Sequence, residues 1–257
     1  MIVGGATAIG NLHRAIFEDP DLTIREFFDL NAIFQEAIGA GLRCLDTDAF
    51  VSRGLETPIF DALGDIVQNC DYQDAGTRAV LVELASAVLT NLETQLNNLD
   101  ASGKTGERAD FLANNYCGLM QATIVRLEGG IAAVRGRLQE MLGRICAAPA
   151  IRVGAILMLG ALQHVLDDET LLMMAPDLVR VADETLNDVN FDTQCKRNAT
   201  GLIQDLAGSL GEKFAVHVDQ VAPVLHRTLE ANDLDPTVKT CAIMAVGDLC
   251  LTTEANF

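Results

Sequence analysis

The segments TGLIQDLAGSLGEKF (200–214) and IMAVGDLCLTTEANF (243–257) decide the fold, because the second repeats the first at a displacement of 43 residues. Three matched positions hold identical residues, namely Asp205 with Asp248, Leu206 with Leu249, and Phe214 with Phe257. Self-similarity at a period of about 40 to 47 residues is typical of proteins built from stacked helical hairpins.

The segments before this pair repeat as well. APDLVRVADETL (175–186) and APVLHRTLEAND (222–233) both open with Ala-Pro and place a leucine two residues after the proline. Each repeat therefore contains two helices. The apolar spacing of the second helix recurs, less clearly, in four earlier segments, namely 151–162, 112–123, 55–66 and 1–12.

This organisation predicts an all-α fold, an α-solenoid of stacked HEAT-like helical hairpins with about eleven helices. In segment 55–66 the apolar residues fall at i, i+3, i+4, i+7 and i+11, which is one face of a helix, and no segment shows sustained strand alternation. We expect a single solenoid over 1–257, truncated at both ends, with the polar stretch NNLDASGKTGER (97–108) as a mobile loop. The alternative is an irregular helical bundle.

Charge restricts the classes of partner. The chain of 257 residues carries a formal charge of −18, and its isoelectric point is near 4.4. A field of this sign opposes direct binding to nucleic acid or to an anionic membrane, and it favours a basic partner. The longest run of apolar residues and glycine, 153–162, is half of what a transmembrane helix needs, and the amino terminus lacks the pattern of a secretory signal. We therefore expect an intracellular protein with no membrane span.

The sequence contains only weak matches to metal-binding, dinucleotide-binding and phosphate-binding motifs. The seven cysteines never form C-x-x-C and the four histidines never form H-x-x-x-H, so the sequence predicts no metal and no cofactor. VGGATAIG (3–10) resembles a dinucleotide-binding turn, but three residues are too few for the strand that must precede it. SGKT (102–105) lacks the first glycine of a phosphate-binding loop. An enzyme built on the glycine-rich amino terminus is the third and weakest reading of the sequence.

Several segments resemble a known family. VGDLC (246–250), LGDIVQNC (63–70), LIQDLAGSLGEKF (202–214) and the run 221–249 look like middle-to-late HEAT repeats of importin-β, the nuclear import karyopherin. The resemblance implies a non-enzymatic nuclear transport receptor that works in the cytoplasm, the nucleus and the nuclear pore. It implies importin-α or basic cargo as partners, phenylalanine-glycine repeats of nucleoporins on the convex face, and the GTPase Ran through amino-terminal repeats that this chain lacks. Another HEAT scaffold, such as a phosphatase or assembly platform, is the alternative.

The chain also departs from that family. It contains no tryptophan, and Thr7 stands where the family packs one against the basic arm of importin-α. The acidic run of an earlier repeat is missing too. Binding of the adaptor by this segment alone is therefore the least supported part of the resemblance.

The repeat register nominates residues for partner binding. One position on each second helix lies ten residues after the first core position, which is about 80° to one side of the apolar stripe. Six residues hold it, namely Asn11, Asp65, Ala122, Ala161, Asp205 and Asp248. In the family the second helices line the concave surface, so Asp65, Asp205 and Asp248 would face cargo, with Asp61 one turn before Asp65. The alternative is a solvated polar face.

Overall fold

The computed structural model describes residues 30–45, 56–70, 72–102 and 107–252. These residues contain ten α-helices and no β-strand, in agreement with the predicted all-α class. The helices are α1 (Leu30–Leu45), α2 (Glu56–Asn69), α3 (Ala75–Ser102), α4 (Glu107–Leu127), α5 (Arg135–Ala147), α6 (Arg152–Leu162), α7 (Asp168–Asn187), α8 (Thr193–Leu210), α9 (Val218–Glu230) and α10 (Pro236–Thr252). Three short 3₁₀ segments, Glu128–Ala133, Pro149–Ile151 and Gly211–His217, lie between helices.

The chain divides into two compact units, Met1–Leu138 and Gln139–Phe257. In the first unit α1 packs on α2 and α3 packs on α4, while α1 contacts α3 and α2 contacts α4. In the second unit α7 packs on α8 and α9 packs on α10, while α7 contacts α9 and α8 contacts both α6 and α10. Each unit is therefore a stack of helical hairpins, in which first helices contact first helices and second helices contact second helices.

The described second helices are the ones that the repeat register predicts. Segments 55–66, 112–123 and 151–162 fall on α2, α4 and α6, and the two clearest repeats fall on α8 and α10. The segment 1–12 lies outside the described residues. Ala199, Leu202 and Leu206 of α8 are buried, as the register predicts. A single solenoid that runs through both units stays a prediction.

Aspartates cap several of these helices. The Asp192 carboxylate accepts a hydrogen bond from the Cys195 amide at 2.7 Å at the start of α8, and Asp167 accepts one from Thr170 at 2.9 Å at the start of α7. Before α10, Asp235 accepts from the amide of Thr237 at 2.8 Å and from its hydroxyl at 2.6 Å, and these bonds lower the pKa of Asp235. Such caps satisfy amide groups that have no partner inside the helix. Part of the acidic composition is thus structural.

The boundaries of the predicted polar loop 97–108 are wrong. Helix α3 continues through Ser102 and α4 begins at Glu107, so most of this stretch is helical. Asn97 and Asn98 are exposed and Leu96 is buried. The two asparagines therefore lie on the solvent-facing side of α3 and do not terminate the helix. Residues 103–106 lie outside the described residues.

The Ala-Pro pairs lie inside helices rather than at their first turns. Helix α7 begins at Asp168, eight residues before Pro176, and Pro223 is likewise internal to α9. A proline inside a helix removes one backbone donor. The Pro176 carbonyl accepts a hydrogen bond from the Gln220 side chain at 3.1 Å, so a residue of the next repeat contacts the chain at this proline.

No single helix among the described residues has the length and hydropathy of a membrane span. The pair Arg135–Ala147 and Pro149–Leu162 meets those criteria only when taken together, and it is bent by 103° at the break.

Candidate functional site

The four predicted carboxylates belong to two separate units. Asp61 and Asp65 lie one turn apart on α2 of the first unit, and both are exposed. Asp205 on α8 is exposed and Asp248 on α10 is half-buried, and both belong to the second unit. The structure therefore gives one local pair in each unit.

Asp205 and Asp248 interact across neighbouring repeats. The Gln204 side-chain amide donates to the Asp248 carboxylate at 2.7 Å, which ties α8 to α10 beside the pair. Burial raises the pKa of Asp205, the charge of His164 on the preceding repeat lowers it, and the charge of Asp248 raises it again. Within the described residues neither carboxylate pairs with a lysine or arginine. A cation placed here would relieve the repulsion between the two carboxylates.

The register of the second helices sets these positions. Asp205 directly precedes Leu206, and Asp248 directly precedes Leu249, and both leucines are buried between helices. Successive residues of a helix are rotated by about 100°, so each aspartate lies beside the apolar stripe and not within it. On each helix, the burial of the leucine thus fixes the direction of the aspartate before it.

The same register does not give exposure on every second helix. Ala122 on α4 and Ala161 on α6 are 5% and 7% exposed, so these positions face packed neighbours rather than a partner. Asn11 and Thr7 lie outside the described residues. Ala161 lies on α6, in which eight of the eleven residues are buried. Among the described residues at this register position, the accessible ones are therefore Asp65 in one unit and Asp205 with Asp248 in the other.

The first helices carry polar contacts between repeats that the sequence reasoning missed. Lys213 donates to Asp168 at 2.6 Å, and Arg227 donates to Asp183 at 2.7 Å. Each pair spans 44 or 45 residues, close to one repeat. A search for opposite charges at that separation could have found them. Met173 on α7 and Val216 in the 3₁₀ segment before α9 are also exposed, at 74% and 76%.

The described residues contain no cluster of three or more side chains that could hold a metal ion. Burial raises the pKa of Cys117 to about 12, and burial is also the largest cause that raises the pKa of Cys146 and Cys195 to about 11. Because the thiolate is the nucleophile, these three thiols are unreactive at neutral pH. The glycine-rich segment 3–10 lies outside the described residues.

The family model for importin subunit beta-1-like repeats matches residues 6–257. The chain belongs to this importin-β-like family. The model names its repeats TPR, whereas the contacts between repeats span 44 or 45 residues, closer to the HEAT period than to the TPR period of about 34. No curated protein sequence matches the chain.

Solved importin-β structures share the fold. A crystal structure of importin beta in an ammonium sulfate condition is 19% identical, with a TM-score of 0.78, and covers 100% of this chain and 29% of its own. The Kap95:Nup1 complex is 18% identical, with a TM-score of 0.75 and the same coverage of 100% and 29%. A Kap95p structure with RanGDP is 17% identical, with a TM-score of 0.69, and again covers 100% and 29%. The chain thus spans about a third of the length of these importin-β relatives.

Membership of the importin-β-like family accounts for the repeat organisation of both units. It confirms the resemblance and the stacked-hairpin fold. At 17% to 19% identity the solved structures give the fold and do not transfer contact residues. The binding surfaces have to be argued from this chain's own side chains.

Proposed function

We propose that this chain is a non-enzymatic segment of a nuclear transport receptor that binds a basic cargo or adaptor through its second helices. The observation that carries the proposal is the Asp205–Asp248 pair, two neighbouring carboxylates with no lysine or arginine partner among the described residues, in a chain of the importin-β-like family. The net charge of −18 adds a long-range attraction for a cationic ligand. Asp61 and Asp65 form the second acidic surface in the first unit.

Importin-α, whose importin-binding arm is rich in arginine and lysine, is the adaptor that fits this charge. A protein that carries such cargo would work in both the cytoplasm and the nucleus and pass through the nuclear pore. Ran, which is present in one of the similar Kap95p structures, would bind through repeats outside this chain. These partners belong to the proposal.

The test is calorimetry with a synthetic arginine- and lysine-rich importin-α arm peptide. Replacing Asp65, Asp205 and Asp248 together by Asn should weaken binding about tenfold, because each exposed pair contributes only about 0.2 to 1 kcal/mol and three act together. A charge-matched control replaces three exposed carboxylates of the first helices by their amides, namely Glu169→Gln and Asp177→Asn on α7 and Asp219→Asn on α9. Equal affinity of the triple variant and the intact chain would show that the three aspartates are a solvated face, and a scaffold for other partners would then be favoured.

The first helices offer a separate surface for phenylalanine-glycine repeats of nucleoporins. Met173 on α7 and Val216 in the 3₁₀ segment before α9 are both exposed, and the Lys213–Asp168 ion pair joins these two elements. Exposed apolar side chains on two elements that contact each other would accept a phenylalanine ring. This surface does not compete with the second-helix carboxylates for the same ligand, because it carries apolar rather than acidic groups.

Binding to a phenylalanine-glycine peptide tests that surface. Met173→Ser combined with Val216→Ser should abolish retention of the peptide on immobilised protein. Val189→Ser is the control, since Val189 is 83% exposed in the turn between α7 and α8 and lies outside the proposed surface. Equal loss of binding in both variants would refute the assignment.

A further inference from the structure

Three side-chain hydrogen bonds join the first helix α7 to the repeat that follows it. They run from Lys213 to Asp168 at 2.6 Å, from Gln220 to the Pro176 carbonyl at 3.1 Å, and from Arg227 to Asp183 at 2.7 Å. The three acceptors follow one another along α7 at intervals of eight and seven residues, which is about two helical turns each. We call this evenly spaced set of three bonds the polar latch.

The polar latch is open to solvent along its whole length. The side chains of Lys213 and Asp168 are 58% and 53% exposed, and those of Arg227 and Asp183 are 51% and 32% exposed. Gln220 is exposed as well. Exposed ion pairs contribute little to stability, and dissolved salt weakens them further. Each bond of the polar latch is therefore easily broken.

The packing between the same two repeats is concentrated at their second helices. Helices α8 and α10 pack closely against each other, whereas α7 and α9 pack only sparsely. Leu206 of α8 and Leu249 of α10 are buried, and the half-buried Gln204–Asp248 hydrogen bond of 2.7 Å lies beside them. Because buried apolar area provides most of the stability of such a contact, this side stays closed when the polar latch breaks.

We propose that α7 and α9 separate reversibly when the ion pairs of the polar latch are screened or broken, while α8 and α10 stay together as the hinge. Breaking the latch leaves no unpaired charge in the interior, since all four ionic side chains already contact solvent. The opening changes the spacing of the first helices and leaves the Asp205–Asp248 pair on the second helices in place. It does not depend on the proposed function.

Distances between spin labels on the full chain test the inference, measured by pulsed electron paramagnetic resonance. One label pair replaces Met173 on α7 and Val216 before α9, and the other replaces Gly208 on α8 and Leu251 on α10. All four positions are exposed, the members of each pair are 43 residues apart, and none belongs to the polar latch. Labels are attached through a keto amino acid, because the chain contains seven cysteines.

Salt alone should open the first-helix side of the intact interface. In about 1 M salt, where the Debye length is about 3 Å, the label pair at 173 and 216 should populate a longer distance about tenfold more than in low salt. The pair at 208 and 251 should keep its distance. An unchanged first-helix pair would overturn the proposal, and so would an equal increase in both pairs, which would mean that the repeats loosen without a hinge.

Removing the cations separates the polar latch from a general effect of salt. Lys213→Gln with Arg227→Gln should populate the longer first-helix distance already in low salt, and added salt should then change it little. Arg197→Gln with Lys239→Gln is the charge-matched control, because it removes two positive charges from α8 and α10, outside the latch. It should leave the first-helix distance unchanged. An equal shift in both variants would overturn the proposal, since net charge would then be the cause.

A charge exchange tests one bond of the polar latch directly. Asp183→Arg or Arg227→Asp alone should lengthen the first-helix distance in low salt, and the two together should restore it, because the exchanged pair attracts as the original one does. Circular dichroism checks that each variant keeps its helices. A double variant that stays as open as the single ones would overturn the role given to this ion pair.

Discussion

Consecutive repeats of the second unit are joined differently at their first and second helices. Helix α7 makes exposed polar contacts with α9 and with the 3₁₀ segment before it. These contacts are the ion pairs of Lys213 with Asp168 and of Arg227 with Asp183. Between α8 and α10, the half-buried Gln204–Asp248 hydrogen bond lies beside buried apolar side chains, with Leu206, Ala245 and Leu249 at 0% to 1% exposure. Apolar burial provides most of the stability of such an interface, whereas exposed ion pairs contribute little. The difference indicates that the second helices hold the stack together and the first helices set its register.

The largest effect is expected at the second helices. Leu206→Ala should lower the free energy of unfolding by about 2 to 5 kcal/mol, because it removes a fully buried side chain and leaves a cavity. Urea denaturation followed by circular dichroism measures the change. A shift below about 0.5 kcal/mol would contradict the buried position, since that is the size expected for a surface substitution.

The next effect concerns an ion pair that links a second helix to the following first helix. Arg152 is 4% exposed and donates to Glu184 at 2.7 Å, while its Nη1 atom is buried with no hydrogen-bond partner. Glu184→Gln should cost about 1 to 3 kcal/mol, because it removes the counter-charge of a buried guanidinium. Arg180→Gln is the control, since Arg180 bonds Glu184 from the exposed side and should cost less.

The pH dependence of this pair has a definite sign. Burial tends to raise the pKa of Glu184, but the hydrogen bonds and charges of Arg180 and Arg152 outweigh it, so the pKa is lowered. The pair therefore adds stability above the ordinary glutamate pKa, and that stability is lost as the pH falls through the lowered value. Unfolding titrations between neutral and acid pH should show this loss in the intact chain and not in Glu184→Gln.

A smaller effect is expected at the first helices. Lys213→Gln should lower the free energy of unfolding by only about 0.2 to 1 kcal/mol, since both partners of its ion pair are more than half exposed. The cost should shrink further in about 1 M salt, where the Debye length is about 3 Å. Leu206→Ala should keep its full cost in the same salt. A Lys213→Gln effect as large as that of Leu206→Ala would reverse the roles assigned to the two interfaces.

The smallest effect, and one of opposite sign, is expected at Asp205. Since its pKa is raised by burial and by Asp248, with His164 opposing, the ionised carboxylate destabilises the folded chain. Stability at this site should fall as the pH rises from the ordinary aspartate pKa through the raised one. Asp205→Asn should therefore stabilise the chain slightly at neutral pH and flatten that slope. A destabilised Asp205→Asn variant would show instead that the carboxylate has a structural role.

Much of the fold could be predicted because the same pattern of buried residues recurs in successive repeats. The match of 200–214 with 243–257 predicted both the second helices and the burial of Leu202 and Leu206. The boundary of α3 was missed, since asparagine and aspartate are common both in loops and on the solvent face of a long helix. Spacing alone does not distinguish these two uses.

The exposure of the proposed site residues could be predicted only in part, for a related reason. The register placed Asp205 and Asp248 on neighbouring helices, and the structure joins these helices there through the Gln204–Asp248 hydrogen bond. The same register assigned Ala122 and Ala161 to the equivalent position on their second helices, but both are buried. The exposure of a position beside an apolar stripe depends on what the neighbouring helix places against it, and a one-dimensional period contains no such information.

The sequence by itself determined the all-α class, the two-helix repeat, the stripe of buried leucines and the excess of negative charge, because periodicity and composition are local properties of the chain. Only the tertiary structure decided that Asp205 and Asp248 lie together beside the Gln204–Asp248 hydrogen bond. This arrangement joins residues about 44 positions apart. Their environment exists only once the hairpins have stacked.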